Sequence, residues 1–138
     1  MLDEHSRLTL VRRHYAAYNA HDIEAQMETL DPEIEVIAFD HAGHESEHWR
    51  GLDEARDFFV GIRAVIADSA AEIVVMRPDG DRVFVRLVLS GELRGTGDAG
   101  AIEAVHLHSF SEDGIAKIQT YRPNWRGGGS SIRPSASR

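Results

Sequence analysis

The sequence predicts an α+β fold in which three helices pack against the concave face of a curled antiparallel sheet. Two observations lead to this prediction. In the first half of the chain, apolar residues recur at three- and four-residue steps, which is the period of an amphipathic helix. After the third helical stripe the period changes to two, which is typical of half-buried strands. Helices followed by a meander of strands favour one layer of helices on the sheet, with a cleft between the layers that suits a small ligand.

The start of the chain predicts two helices. The first extends from Leu2 to Ala20, and its apolar stripe comprises Leu8, Val11, Tyr15 and Tyr18. Asp22 predicts the start of a second, shorter helix through Leu30, because its carboxylate can accept the free N–H groups of a first turn. That helix is expected to stop at Asp31-Pro32, since the residue before a proline is pushed out of the helical region.

A strand, a loop and a third helix are predicted next. Glu33–Phe39 is rich in β-branched residues and predicts a strand. Asp40–Arg50 is polar, irregular and dense in histidine, and we predict a loop there. The third helix is expected to begin just after Gly51 and to reach about Ala67. Its stripe comprises Leu52, Ala55, Phe58, Phe59, Ile62, Val65 and Ile66.

The remainder of the chain predicts four strands separated by turns rich in glycine, proline and aspartate. The predicted strands are Glu72–Arg77, Arg82–Arg94, Ala101–Ser111 and Ile115–Tyr121. In Arg82–Arg94 both faces carry apolar residues, and one of these faces includes Phe84 and Val88. A monomer would expose that second face, so we expect a homodimer.

Composition excludes several classes of protein. The chain has 138 residues and no cysteine, and its 23 acidic residues outnumber 15 basic ones to give a net charge of −8. This charge argues against binding to nucleic acid or membranes, and the absence of cysteine excludes disulfides and thiolate metal sites. We expect one domain over residues 1–125, a disordered tail over 126–138, and a cytoplasmic location.

Four stretches carry a resemblance to a known family. They are HYAAYNAHD (His14–Asp22), HWRGLDEARDFF (His48–Phe59), VHLHSF (Val105–Phe110) and EDGIAKIQTY (Glu112–Tyr121). In this order and spacing the chain resembles the nuclear-transport-factor-2-like superfamily, and within it the SnoaL-like polyketide cyclases and ketosteroid isomerases. The resemblance implies a cone-shaped sheet around an apolar cleft, and a fold that hosts isomerases, cyclases, hydrolases and non-catalytic binders.

The isomerases imply three candidate catalytic positions. Their tyrosine on the first helix, which donates a hydrogen bond to the developing oxyanion, corresponds to His14. Their protonated aspartate, which also donates to the oxyanion, corresponds to His108. Their general base lies at the end of the first strand, where Asp40 and Ala38 are equally good matches.

The cyclases imply a further histidine and a missing acid. Their V-H-L histidine corresponds to His106, and their acid/base aspartate on the last strand aligns with Tyr121, so a carboxylate is absent there. Tyr121 is predicted to be a donor in the cleft, on a face shared with Gln119 and Lys117.

The residues themselves leave the roles of the histidines open. His14 lies on the buried edge of its helix, as either a hydrogen-bonded core histidine or a donor in the cleft. His106 and His108 share one strand face, which is either the lining of the cleft or the solvated outer face. Asp40 is either a solvated aspartate at a strand end or a general base whose pKa is raised by apolar neighbours.

The histidines do not predict a metal site. The H-x-H pair on one strand is also typical of metal ligation, with His41, His44 or His48 as a third ligand. The loop spacing matches no known site, so we expect neither a metal nor another cofactor. The chain also lacks a nucleophile elbow, a P-loop and a dinucleotide fingerprint.

The sequence thus predicts a cofactor-free acid/base enzyme of the cyclase, isomerase or epoxide-hydrolase type. Its substrate would be a hydrophobic, polyketide-like small molecule, and the alternative is a non-catalytic ligand-binding or assembly domain. The predicted catalytic residues are His14, Asp40, His108 and Tyr121. The predicted substrate-binding residues are Tyr18, Trp49, Phe59, Leu87, His106 and Phe110.

Overall fold

The computed structural model describes residues 2–40 and 42–121, and within these residues it contains three helices and six strands. The helices are α1 (Glu4–Asn19), α2 (Ile23–Met27) and α3 (Gly51–Val65). The strands are β1 (Leu30–Phe39), β2 (Glu45–Arg50), β3 (Ile66–Asp79), β4 (Arg82–Leu93), β5 (Ala99–Ser111) and β6 (Gly114–Tyr121). The predicted α+β class is confirmed. None of the helices in the described part is long and apolar enough to cross a membrane. The tail predicted to be disordered, residues 126–138, lies outside the described residues.

The sheet is mixed and open, whereas the sequence analysis predicted a curled, cone-shaped sheet that is wholly antiparallel. Its strand order is β2-β1-β6-β5-β4-β3, so β2 and β3 form the two edges. β1 pairs with β6 in parallel, whereas the other neighbours are antiparallel. A parallel pair needs a long connection, which is provided here by all of the chain between β1 and β6. Local sequence patterns carry no signal for a pairing between such distant segments.

The segment predicted as a loop, Asp40–Arg50, contains the edge strand β2. This strand pairs with β1, so that Val36 lies opposite Trp49 and Ile37 lies opposite His48. Most of its side chains are exposed, and it therefore lacks the apolar alternation by which a strand is recognised. Backbone hydrogen bonds to β1 hold it in place.

Three other element boundaries differ most from the predictions. The second helix ends at Met27, and β1 already begins at Leu30, ahead of Pro32. A register shift between Leu30 and Glu35 accommodates the proline, which has no N–H for the ladder. β3 begins directly after α3, at Ile66, whereas the sequence placed its start at Glu72.

Helices α1 and α3 pack on one face of the sheet, which we call the inner face. Asp3 begins α1 by accepting a hydrogen bond from the backbone N–H of Ser6, at 2.8 Å. The buried side of α1 includes the predicted residues Val11, Tyr15 and Tyr18. The sheet supplies the other half of this core, through residues that include Ile34, Val36, Val83, Val85, Leu87, Ile115 and Ile118.

The opposite face of the sheet, called the outer face, carries apolar side chains that this chain covers only in part. Phe84 pairs with Leu107 across β4 and β5, Val88 and Val105 lie nearby, and all four are only half-buried. We expect a homodimer that buries this face, with twice the mass of one chain in light scattering at micromolar concentration. Leu107→Glu should yield a monomer because it places a charge in the interface, whereas Arg12→Glu, on the exposed side of α1, should stay dimeric. A wild-type protein that scatters as a single chain would contradict this expectation.

Candidate functional site

A cavity of about 590 Å³ lies between α3 and the inner face of the sheet. Its buried end, here called the floor, includes Ile66, Ala104 and His106, and its exposed end, called the mouth, includes Asp40, Glu47 and Asp57. The other lining residues are mostly apolar: Ala38, Phe39, Ser46, Trp49, Phe58, Gly61, Ile62, Val65, Leu89, Ile102, Thr120 and Tyr121. A pocket of this size with a few convergent polar groups is typical of a small-molecule site.

Helix α3 builds one wall of the cavity through its predicted apolar stripe. Phe58, Ile62 and Val65 follow each other at four- and three-residue steps, so they project from one side of the helix. Across from them, the ring of Trp49 in β2 contacts the ring of Phe58, with 4.6 Å between the ring centroids. The edge strand that the sequence did not predict therefore supplies an aromatic part of the wall.

The polar group on the floor is His106 of β5. Its side chain is only 6% exposed, and it lies on the inner face because it pairs with Val85 of β4. Its Nδ1 atom is 2.7 Å from the hydroxyl oxygen of Tyr15 on α1. Since Nδ1 is engaged by Tyr15, Nε2 is the ring nitrogen left for a ligand.

His14 and His108 lie together, but neither lines the cavity. Their ring centroids are 5.9 Å apart, and both side chains are almost fully buried between α1 and the sheet. His108 Nε2 is 2.8 Å from the Tyr15 hydroxyl, the same oxygen that contacts His106. His14 Nδ1 is 3.1 Å from Thr29 Oγ1, whose own proton is donated to the carbonyl of Gln26. His14 must therefore donate to Thr29. Of the two alternatives left open by the sequence, His14 is the hydrogen-bonded core histidine and not a donor in the cleft.

Burial keeps all of these groups neutral at pH 7. It lowers the pKa of His14 to about 3, helped by the nearby His106, and lowers that of His106 to about 4. The pKa of His108 is held well below its usual value of 6.5, first by burial and then by the two other histidines. Burial also raises the pKa of Tyr15 well above its usual value of 10.0. The site thus offers neutral imidazoles and a neutral phenol.

Asp40 directly follows β1, at the strand end where the sequence analysis placed it, and it lies at the mouth of the cavity. Its Oδ1 atom accepts hydrogen bonds from the backbone N–H groups of Ala42 and His44, both at 2.9 Å, which fix the orientation of the carboxylate. Its side chain is 42% exposed, so apolar neighbours enclose it only in part. The role of Asp40 as a base stays a prediction.

Tyr121 borders the cavity, but its ring does not lie on the inner face. Thr120 pairs with His106 on that face, and strand alternation puts Tyr121 on the outer one, opposite Val105. There its ring stacks on Phe39 at a centroid distance of 4.6 Å, and its hydroxyl accepts from Gln119 at 3.3 Å. Gln119 and Lys117 share this outer face and do not line the cavity, so the expectation that they face the cleft is wrong. Tyr121 does border the cavity, and its role as a donor there stays a prediction.

Only some of the other predicted substrate-binding residues line the cavity. Trp49 and His106 do, whereas Leu87 and Phe59 are buried in the core. Tyr18 is also buried, and its hydroxyl is hydrogen-bonded to that of Ser69. The remaining one, Phe110, packs against the core near the end of β5, away from the cavity.

Tyr15 is the residue whose role sequence reasoning missed. It was assigned to the apolar stripe of α1, and that placement is right, but its hydroxyl joins the two strand histidines. Two signals were present: a tyrosine in a buried stripe needs a polar partner, and two inward histidines needed one as well.

The described residues do not assemble a metal site. Among residues 2–40 and 42–121 there is no group of three His, Asp or Glu side chains close enough to hold a metal ion. His48 instead contacts Glu35 Oε1 at 2.8 Å on the outer face, and the side chain of His44 is 81% exposed. His41 lies outside the described residues.

Comparison with solved structures shows the fold. A hypothetical protein with a ketosteroid isomerase-like fold from Catenulispora acidiphila, in complex with trimethylamine, is 19% identical, with a TM-score of 0.68 over 83% of this chain and 85% of that one. A candidate SnoaL-like polyketide cyclase from Jannaschia is 16% identical, with a TM-score of 0.69 over 83% of each chain. A candidate hydroxylase from Streptomyces galilaeus is 17% identical, with a TM-score of 0.69 over 86% of this chain and 79% of that one.

Comparison of the sequence with protein families is more direct. No curated protein matches the chain. The model of the SnoaL-like domain, however, matches residues 11–119, which extend from α1 into β6 and contain every cavity residue except Thr120 and Tyr121. The chain therefore belongs to the SnoaL-like domain family.

Proposed function

We propose that this protein is a cofactor-free acid/base enzyme that acts on a hydrophobic, carbonyl-bearing small molecule of the polyketide type, by cyclase- or isomerase-like chemistry. The observation that carries the proposal is that His106 and Asp40 line the same cavity. A neutral imidazole lies on the buried floor and a fixed carboxylate lies at the mouth. The membership in the SnoaL-like family and the likeness to a candidate polyketide cyclase support the same class.

The chemistry follows from these two groups. Asp40 would take a proton from the carbon next to a substrate carbonyl, so that the C–H bond breaks and an O–H bond forms on the carboxyl group. The electron pair moves to the carbonyl oxygen, which becomes an enolate and accepts a hydrogen bond from His106. The enolate then either takes the proton back at another carbon, which is isomerisation, or attacks a second carbonyl and closes a ring. Ring closure turns the second carbonyl oxygen into an alkoxide, which takes the proton back from Asp40. Neither outcome requires an oxidant or a reductant.

The cavity wall indicates a neutral or cationic substrate rather than an anionic one. Its aromatic and aliphatic residues, such as Trp49, Phe58 and Ile102, suit an apolar ring system. The ionisable groups at the mouth are the carboxylates of Asp40, Glu47 and Asp57, and the described lining contains no lysine or arginine. A carboxylate or phosphate on the substrate would therefore meet like charges.

Proton exchange on 2-tetralone, a small bicyclic ketone, tests the proposal. In D₂O near pH 7, wild-type protein should accelerate loss of the signal of the protons next to the carbonyl in one-dimensional NMR spectra. His106→Phe, which keeps a ring on the floor but removes its N–H, should slow this exchange by about 10² or more. If wild-type protein binds the ketone without accelerating exchange, the catalytic proposal fails.

The second candidate function is that of a ligand-binding domain. It is favoured by the position of His14 and His108, because the two side chains that the resemblance equates with oxyanion donors are sealed from the cavity. For a ligand-binding domain, His106→Phe would weaken binding of 2-tetralone, as measured by calorimetry. Neither the wild-type protein nor this variant would accelerate proton exchange.

A further inference from the structure

The hydroxyl of Tyr15 has a single proton and two ring nitrogens within hydrogen-bond distance. His106 Nδ1 is 2.7 Å away and His108 Nε2 is 2.8 Å away. Tyr15 can donate to only one of them, so the other contact must be donated by a histidine N–H to the phenol oxygen. Two proton arrangements satisfy this rule: in one, both histidines carry their proton on Nε2, and in the other, both carry it on Nδ1.

The second ring nitrogen of His108, Nδ1, distinguishes between these two proton arrangements. His108 Nδ1 is buried and has no hydrogen-bond partner among the described residues. If Tyr15 donated to His108, Nδ1 would carry a proton with no acceptor. If His108 donates to Tyr15, Nδ1 is a bare lone pair, and a buried acceptor without a partner is tolerated more readily than a buried N–H without one. The second arrangement is therefore favoured.

The direction of the remaining proton follows at once. With His108 donating to the phenol oxygen, Tyr15 donates its own proton to His106 Nδ1. His106 is neutral and must then carry its proton on Nε2, the nitrogen that is left for a ligand in the cavity. The chain of bonds runs from His108 through Tyr15 to His106 and ends at the cavity floor.

We propose that Tyr15 and His108 are positioning residues that hold His106 in the Nε2–H tautomer, so that the floor is a hydrogen-bond donor and not a base. This inference rests on the proposed function. The Nε2–H tautomer of His106 selects substrates that present a lone pair, such as that of a carbonyl oxygen, to the floor. Proton abstraction is then left to a group at the mouth. Neither Tyr15 nor His108 needs to touch the substrate.

Long-range ¹H–¹⁵N correlation spectra of the ¹⁵N-labelled wild-type protein at pH 7 test this assignment without a substrate. In both His106 and His108 we expect Nε2 to have the shift of a protonated nitrogen and Nδ1 that of an unprotonated one. A protonated Nδ1 in either ring would overturn the proposal. Because no substrate is present, this result is independent of whether the exchange assay detects activity.

A pair of tyrosine variants tests the role of the hydroxyl. Tyr15→Phe should release the constraint, so that both ring nitrogens of His106 shift toward the average of the two tautomers. Tyr18→Phe removes a buried hydroxyl that contacts Ser69 instead, and it should leave the histidine spectrum as in the wild type. If His106 keeps its wild-type shifts in Tyr15→Phe, the positioning role is wrong. If that variant does not fold, the wild-type spectrum still decides the tautomer.

Discussion

Lowering the pH from 6.5 to about 4.5 should strongly destabilise the fold, by roughly 4 kcal/mol in the free energy of unfolding per pH unit. The cause is the cluster of His14, His106 and His108, which are neutral in the folded protein. In the unfolded chain each titrates near 6.5, so below this pH the unfolded state binds more protons than the folded state. Stability is therefore complete above pH 6.5 and is lost as the pH falls toward the folded-state pKa values, which are about 4 for His106 and about 3 for His14.

The size of this effect makes it easy to detect. One histidine contributes about 1.4 kcal/mol per pH unit in this range, and a domain is typically stable by only about 5–15 kcal/mol. Urea unfolding at a series of pH values measures the slope. His108→Gln should reduce the slope by about one third, whereas His44→Gln, at a side chain that is 81% exposed, should leave it unchanged. A free energy of unfolding that is constant from pH 6.5 to about 4.5 would show that the histidines are not held neutral.

The second large effect is expected at the mouth of the cavity. Asp40→Asn should reduce the rate of proton exchange on 2-tetralone by about 10²–10⁴, the usual loss for a positioned general base. Asparagine keeps an oxygen at the position that accepts from the backbone of Ala42 and His44, so the local turn should persist. What is removed is the ability to take a proton.

Two controls make this result specific. Asp113→Asn, at an exposed turn between β5 and β6, removes the same charge far from the cavity and should keep the wild-type rate. The binding constant for 2-tetralone should change little in Asp40→Asn, because the carboxylate acts in the proton transfer. An unchanged rate in Asp40→Asn would assign the base to another group, and equal loss in both variants would indicate a general effect of charge.

The sequence predicted the elements whose patterns are local. The stripes of α1 and α3 and the alternation along β4 and β5 come from residues that are buried on one side only, so their period reports the structure. It did not predict β2, because most side chains of this edge strand are exposed, so the strand has no apolar period to detect. The parallel pairing of β1 with β6 was also missed, since it joins distant segments through backbone hydrogen bonds that any side chain permits.

For the site, face assignment was more informative than positional resemblance. The two-residue period of a strand correctly placed His106 and His108 on one face. It did not show that His106 lines the cavity whereas His108 lies in the core, because this difference depends on their positions along β5. His14 was placed on the buried edge of its helix, and the structure shows the hydrogen-bonded core form. Tyr15 was not recognised because a tyrosine in an apolar stripe looks like packing until its hydroxyl partners are seen.

Isotope-filtered NOE spectra of the labelled protein with unlabelled 2-tetralone test the central claim most directly. The claim is that substrate binds in the cavity between α3 and the sheet, with its carbonyl end on His106. The expected result is a set of contacts from the ketone to Trp49, Ile102 and the ring of His106. Contacts to other surfaces, such as the outer face around Leu107, without contacts to these three residues would contradict it.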